Sequence, residues 1–416
     1  MKRDQITDSE SQSQAPSFET LEGYLREQVQ GLVQKLLEEE VTDYLGRERY
    51  ERSEGSDEAT PAYRNGHGKP RRLTLSNGTI EVRRPRLRNL SEHFESQVLP
   101  LFKRHSKTVS ALLPELYLHG LALRDFDLAL RGLLGDDAPL SPSSIARLKA
   151  DWLKEYDSWQ SEPIEEEPVY MWADGIYVKA GLEKAKAAIL VVIGAFQDGT
   201  KRVLAAQPGY RESCDSWKEV FRALEKRGIK TGPKILVADG GLGLWAAVAE
   251  LGWTCREQRC WKHKITNVSD VLPYNEQKPA QKILRSIPQS KTREEAEARR
   301  DAFIESYGQR YPKAAERLQS DWNRMVAFYD FPRGHWKHLR TSNIVESPFQ
   351  VVRLRTGAAK RFKRVDNAMA VIWKLLMVAE STFRQLAKIH LLEDVARGQE
   401  YINGTPVNEA RNSEAA

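Results

Sequence analysis

After residue 168 the hydrophobic period of this chain changes, and that change restricts the fold more than anything else in the sequence. Upstream of it, Ser161-Glu-Pro-Ile-Glu-Glu-Glu-Pro168 reads as an acidic, proline-bounded linker. Downstream, 169–178, 187–195 and 202–206 are three consecutive apolar runs rich in β-formers. A helical pattern follows at 214–227, a strand at 234–238, a helix at 243–251 and a short strand near 253–256. Three strands in a row, then strands alternating with helices, predict an α/β fold with a mixed sheet. Residues 259–330 then read as helical and highly charged, with the run Lys291–Arg300 a solvated helix face. Helices resume at about 343–354 and 366–390.

Three carboxylates stand out against this framework. Asp174 lies inside the run Val169–Val178, Asp239 closes Lys234-Ile-Leu-Val-Ala-Asp239, and Glu346 sits in Thr341-Ser-Asn-Ile-Val-Glu-Ser347. In-line attack at a phosphodiester needs charge neutralised on both the entering and the leaving oxygen. Two Mg²⁺ ions about 4 Å apart do this, and hard cations prefer carboxylate oxygens. A mid-strand Asp, an Asp ending a second strand and a Glu on a helix can converge from distant positions. Asp174 and Asp239 are each followed by glycine, which allows close approach.

The upstream half reads as DNA-facing. Residues 1–17 are polar and predicted disordered, as are those after about 398. One amphipathic helix is expected over Leu21–Tyr44, for core or dimer contact. Asn77-Gly78 suits a two-residue type I′ turn. That turn predicts pairing of Leu75 with Ile80, Leu73 with Val82, Arg72 with Arg83 and Arg71 with Arg84. Like charges facing each other across strands cost stability unless an anion sits between them, so Arg71, Arg72, Arg83 and Arg84 are candidate phosphate contacts. Helices are expected at Thr108–Leu118, at Ala122–Leu134 and after Ser141-Pro142, a spacing compatible with a helix-turn-helix.

Eight Lys or Arg face one acid, Glu346, between Lys337 and Arg364. Arg353, Arg355, Lys360, Arg361, Lys363 and Arg364 are therefore further phosphate candidates, with Arg353, Lys360 and Arg364 able to share a helix face. Trp336, His338, Phe349 and Phe362 interleave with them and are expected to stack on unpaired bases. The net charge of +6 is modest, so this clustering matters more than the total. Three cysteines (Cys214, Cys255, Cys260) make no disulfide framework, and the N-terminus has no apolar signal region. No run approaches a membrane span. The expectation is a soluble cytoplasmic protein.

Four ordered motifs now carry a family resemblance: Asp174-Gly-Ile-Tyr-Val-Lys179, Ala238-Asp-Gly-Gly-Leu-Gly-Leu244, Cys260-Trp-Lys-His263 and Thr341–Ser347. Together they resemble mutator-type bacterial insertion-sequence transposases. Tyr63-Arg-Asn-Gly-His-Gly68, the Gly78 hairpin, Arg84-Pro85-Arg86 and Val352-Arg-Leu-Arg-Thr356 resemble that family too. The resemblance implies a ribonuclease H-like catalytic domain with an all-helical insertion, preceded by helical and β-hairpin DNA-binding regions. It implies that Asp174, Asp239 and Glu346 are the catalytic and metal-binding triad for two Mg²⁺, with Mn²⁺ as substitute. Cys260 and His263 match the family's Cys-x-x-His motif. A zinc site from Cys255, Cys260 and His263 would lack a fourth ligand. Where the family often has Ser and Asn, this chain has Ala238 and Phe349.

The expected organisation is a tail (1–17), a helix and basic hairpin (18–105), a helical DNA-binding domain (106–160) and a linker (161–168). The catalytic core (169–258 and 336–397) is interrupted by the insertion (259–335) and followed by a tail (398–416). The expected activity is that of a DNA transposase, a nuclease and strand transferase acting on double-stranded element ends and target DNA. It would work as a dimer or larger assembly on the prokaryotic nucleoid. Two alternatives stand beside it. A non-catalytic DNA-binding regulator, or an inactive transposase copy, would not need the three carboxylates. Gly241-x-Gly243-x-x-Ala246 has the format of a dinucleotide loop, but Asp239 would repel a pyrophosphate, so no nicotinamide cofactor is expected.

Overall fold

A computed structural model describes residues 18–51, 62–76, 78–90, 94–99, 106, 118, 142–180, 187–209, 211–359, 362 and 364–407. The chain divides into two units, 1–145 and 146–416.

In the first unit, helix α1 (Phe18–Leu45) lies against strands β2 (Arg71–Leu75) and β3 (Gly78–Val82). Val29, Val33 and Leu37, one helical turn apart, pack with Leu73, Ile80, Val82 and Leu99 into one small core. The α1 glutamines complete the hydrogen bonding of the strand edge. The Gln34 amide donates to the Arg83 carbonyl and accepts from its N–H, both at 2.9 Å, and Gln30 accepts from the Glu81 N–H. Strands β1 (Tyr63–His67) and β4 (Pro85–Arg88) form a second antiparallel pair.

The hairpin register differs from the expected one by two residues. Arg71 faces Val82, Arg72 faces Glu81, Leu73 faces Ile80, and Leu75 faces Gly78 at the turn. The stacked Arg–Arg pairs expected from the sequence therefore do not form, and Arg72 opposes a carboxylate. The reason is general. A slip of two residues leaves every side chain on its original face, so apolar alternation cannot distinguish the two registers. Gly78 serves a different need from the expected turn. Its φ is +118°, and a Cβ there would lie 2.7 Å from Nε of Arg26 on α1.

The second unit holds a five-stranded sheet in the order β7-β6-β5-β8-β9. Strands β5 (Tyr170–Val178), β6 (Ala187–Ala195) and β7 (Lys201–Gly209) run antiparallel in sequence. β8 (Ile235–Ala238) and β9 (Arg256–Arg259) run parallel to β5. The central strand is buried on both faces, hence its near-continuous apolar run. On one face Met171 and Ala173 pack against Trp217, Phe221 and Leu224 of α3 (Cys214–Arg227) and Leu244 and Val248 of α4 (Leu242–Leu251). By strand alternation, Tyr170, Trp172 and Asp174 belong to the opposite face.

Helix α2 (Pro142–Trp159) also packs in this unit. The Tyr156 hydroxyl donates to the Ala206 carbonyl at 2.7 Å, and its ring lies 6.1 Å from Trp373. The third helix expected in a separate DNA-binding region thus rests on the sheet unit, which begins at Ala146. Apart from Leu118, the two helices expected before it lie outside the described residues. The segment expected as a linker is pinned as well: the Ile164 N–H donates to the Arg227 carbonyl, and Glu167 accepts from Lys230 and Thr231.

After β9 come α5 (Trp261–Ser269), α6 (Tyr274–Ser286), α7 (Arg293–Tyr307), α8 (Pro312–Gln319), α9 (Trp322–Met325) and α10 (Trp336–Leu339). α11 (Asn343–Ala359) and α12 (Val365–Glu380) return to the sheet, α11 against β5 and β6 and α12 against β7. A short α13 (His390–Ala396) and a hairpin of β10 (Tyr401–Ile402) and β11 (Thr405–Pro406) follow. This hairpin falls where disorder was expected. It is held by buried Tyr401 and by backbone bonds of Gly404 with Tyr329 and Arg333, contacts a polar composition does not reveal.

Lys264 of α5 is buried and donates to the carbonyl and hydroxyl of Ser320. Burial, aided by Arg259, lowers its pKa from 10.5 to about 7. Between those values the unfolded chain holds a proton that the folded chain has lost, so this site's contribution to stability rises with pH across that window. Urea melts of wild type and Lys264→Met at pH 7 and 9 should show the comparison moving in favour of wild type, by up to about 1.4 kcal/mol per unit. A pH-independent difference would contradict a buried, neutralising lysine.

Candidate metal centre

Register brings the two aspartates together. β5 and β8 are parallel neighbours with Ala173 beside Ala238, so the next residue of each strand, Asp174 and Asp239, emerges side by side. Asp174 is 8% exposed, and its Oδ1 accepts the Gly175 N–H at 2.8 Å. Asp239 Oδ1 accepts the Gly241 N–H at 2.8 Å, at the start of α4. That bond fills the anion-binding position of the strand–glycine–helix turn with the protein's own carboxylate, where a dinucleotide loop would place pyrophosphate.

A third carboxylate joins them, one the sequence reading missed. Donor oxygens of Asp174, Glu212 and Asp239 all lie within 4.8 Å of one another. Glu212 follows β7 and immediately precedes Ser213, whose side chain caps α3. β7 runs in the same direction as β5 and β8, so its C-terminal end opens at the same edge of the sheet. That shared direction was the available signal, and it required knowing the strand order.

Charges so close repel by about 1 kcal/mol per pair in water, and by about 3.5 kcal/mol at an effective dielectric of about 20. Burial, reinforced by Asp239 and Glu212 and opposed by His263 and the Gly175 N–H, pushes the Asp174 carboxyl up to about 7. Glu212 is raised by burial and then by Asp239. The cations nearby are engaged elsewhere: Arg259 pairs with Asp321 at 2.7 Å and Lys262 with Glu346 at 2.5 Å. Among the described residues no Lys or Arg pairs with Asp174, Glu212 or Asp239. Three hard oxygen donors with no Lys or Arg paired to them among the described residues, and only the His263 imidazole to offset their charge, fit a divalent cation of the Mg²⁺ or Mn²⁺ kind.

Glu346, on the first turn of α11, is in a neighbouring group rather than in this one. Its carboxylate clusters within 4.8 Å of Cys260 and His263. Ser342 Oγ donates to its Oε1 at 2.7 Å, and His263 Nδ1 lies 3.9 Å from the same oxygen. Burial raises the Glu346 carboxyl, but Lys262, Ser342 and His263 outweigh it and hold it below its ordinary value. His263 is raised to about 9, first by its hydrogen bond with Cys260, with further help from the charges of Cys260, Asp174 and Glu346. A cationic imidazole thus links the two groups electrostatically. Cys260 is buried, and its Sγ accepts the Ser342 N–H at 3.3 Å. Cys255 packs instead against the α3–α4 core, so the suggested Cys255–Cys260–His263 zinc trio does not assemble.

The basic stretch is only partly as expected. Arg353 is exposed beside Phe349, and Arg364 is exposed and paired with Asp366 at 2.8 Å. Arg355 is 3% exposed, so it is not a surface phosphate contact. Arg364 lies in extended backbone ahead of α12, off the α11 face it was expected to share with Arg353. Lys360, Arg361 and Lys363 lie outside the described residues. Trp336, Phe349 and Phe362 are buried and His338 half-buried, so these rings fill the core rather than stack on bases. Arg71 and Arg84 are half-buried, and Arg72 and Arg83 are exposed on the hairpin.

Comparison with known proteins agrees with the motifs. A family model described as "Transposase, Mutator family" matches residues 1–386. The transposase for insertion sequence element IS6120 of Mycolicibacterium smegmatis is 38% identical over 297 residues, 71% of this chain and 92% of that protein. The transposase for insertion sequence element IST2 of Acidithiobacillus ferrooxidans is 36% identical, covering 67% and 95% of the two chains. The transposase for insertion sequence element ISRM5 of Rhizobium meliloti is 27% identical, covering 89% and 91%.

Proposed function

Because the chain belongs to the Mutator family of transposases, we propose that it binds the terminal inverted repeats of its own insertion sequence, cleaves each end and joins the freed 3′-OH to target DNA. The observation that carries this reading is the placement of Asp174 beside Asp239 with no Lys or Arg paired to either among the described residues. The strand order, three antiparallel strands followed by two parallel to the first, supports a ribonuclease H-like core. So does the helical segment between Asp239 and Glu346.

Asp174, Asp239 and Glu346 would hold two Mg²⁺, or Mn²⁺ in their place. When bound, the ions supply charge neutralisation at the entering and leaving oxygens of a phosphodiester. The strands keep Asp174 and Asp239 adjacent before substrate arrives, so no rearrangement of these two is needed. Ser342 and Lys262 orient Glu346 and keep it ionised, and His263 offsets part of the negative charge between the groups. Water, and then the 3′-OH, is the nucleophile, so no side chain needs to form a covalent intermediate.

Arg71, Arg72, Arg83 and Arg84 on the hairpin unit, with Arg353, Lys360, Arg361, Lys363 and Arg364, would meet the phosphates of duplex DNA. Pairing two element ends calls for at least a dimer. No helix among the described residues is long and apolar enough to cross a membrane.

Labelled element-end DNA should be nicked in Mg²⁺ or Mn²⁺, left intact in EDTA and nicked again when Mg²⁺ is restored. A DNA-binding regulator or an inactive copy would bind the same DNA with or without metal and never cut it. That outcome would overturn the proposal.

A further inference from the structure

We infer that Glu212 is a further metal-holding residue, completing with Asp174 and Asp239 a three-carboxylate cup that takes a divalent cation without Glu346. The inference rests on the metal-centre reading above and extends it.

The cup is shaped around Glu212. At Gly175, on β5, a Cβ would come within 2.6 Å of Glu212 Oε1. At Gly243, on α4, a Cβ would come within 2.5 Å of the Glu212 carbonyl oxygen. Two elements thus lack a side chain where this residue approaches them. The Tyr177 phenol donates to the Glu212 carboxylate, orienting it at the mouth of the cup.

Asp174 points to the same conclusion independently. It is more than nine-tenths buried, its one hydrogen bond is the local one from Gly175, and no second bond reaches it among the described residues. A buried carboxylate with a single hydrogen bond among the described residues, facing two more carboxylates with only the His263 imidazole to offset them, calls for a cation. Glu346 has its partners already, Lys262 on one oxygen and Ser342 on the other, and would have to give up Lys262 to bind metal. The cup does not. The first cation to reach the DNA-free protein therefore meets Asp174, Glu212 and Asp239, and all-oxygen donors favour Mg²⁺ or Mn²⁺ over zinc.

The test is Mn²⁺ binding to the full chain without DNA, followed by electron paramagnetic resonance and by the rise in melting temperature that Mn²⁺ produces. Glu212→Gln should weaken Mn²⁺ binding at least about tenfold, and Glu346→Gln should leave the tightest site close to wild type. In EDTA, Glu212→Gln should melt at or above the wild-type temperature, because it removes a like charge; a merely structural glutamate would lower it. Wild-type Mn²⁺ affinity in Glu212→Gln, or weakening only in Glu346→Gln, would overturn the inference. Asp239→Asn separates the two levels. If it too binds Mn²⁺ like wild type, the metal centre itself is wrong; if it alone fails, only the role of Glu212 is.

Discussion

Asp239→Asn should lower Mg²⁺-dependent nicking of element-end DNA by at least about a hundred- to thousandfold, while DNA binding and fold stay close to wild type. The size follows from losing one preorganised electrostatic partner where charge develops, which typically costs that much in rate. The substitution is nearly isosteric. An amide oxygen can still accept the Gly241 N–H, so the start of α4 keeps its bond. Only the negative charge is lost, and with it repulsion against Asp174 and Glu212, so the metal-free variant should melt no lower than wild type. Gel electrophoresis of nicked product over a Mg²⁺ series, with circular dichroism melts alongside, checks both halves. Wild-type nicking by a folded Asp239→Asn protein would remove Asp239 from the reaction.

Gly228→Ala should be among the most destabilising single changes in the sheet unit, about 2–6 kcal/mol. Gly228 ends α3 with φ +128°, a conformation L-residues rarely adopt, and strain of this kind costs about 1–3 kcal/mol. A Cβ would also sit 2.3 Å from the Ile164 carbonyl oxygen, and overpacking typically costs about 1–3 kcal/mol more. The contact is with backbone that is itself tied to Arg227, so it cannot be relieved by a rotamer change. For a unit of this size the melting temperature should fall by roughly 5–15 °C. A thermal melt measures it directly, and a loss under about 1 kcal/mol would mean that 161–168 is a free linker.

Asp174 and Asp239 were legible because each sits in its own strand pattern, and the extents of β6 and α3 follow directly from local periodicity. Glu212 was not legible. Nothing near it distinguishes it from an acid beside a helix cap, and its meaning comes from the direction of β7 relative to β5 and β8. Arg355, Trp336 and Phe349 show the reverse. Charge and aromatic content marked them as DNA contacts, but which side of a helix faces the sheet decided otherwise.

Alone, the sequence determined the kinds and order of the elements from β5 to α4, because those depend on neighbours a few positions away. Tertiary structure decided the hairpin register, the third carboxylate of the cup and the separate engagement of Glu346 by Lys262 and Ser342. The physical reason is range. A two-residue slip preserves every local preference, and charges distant along the chain sense one another only after strands have paired.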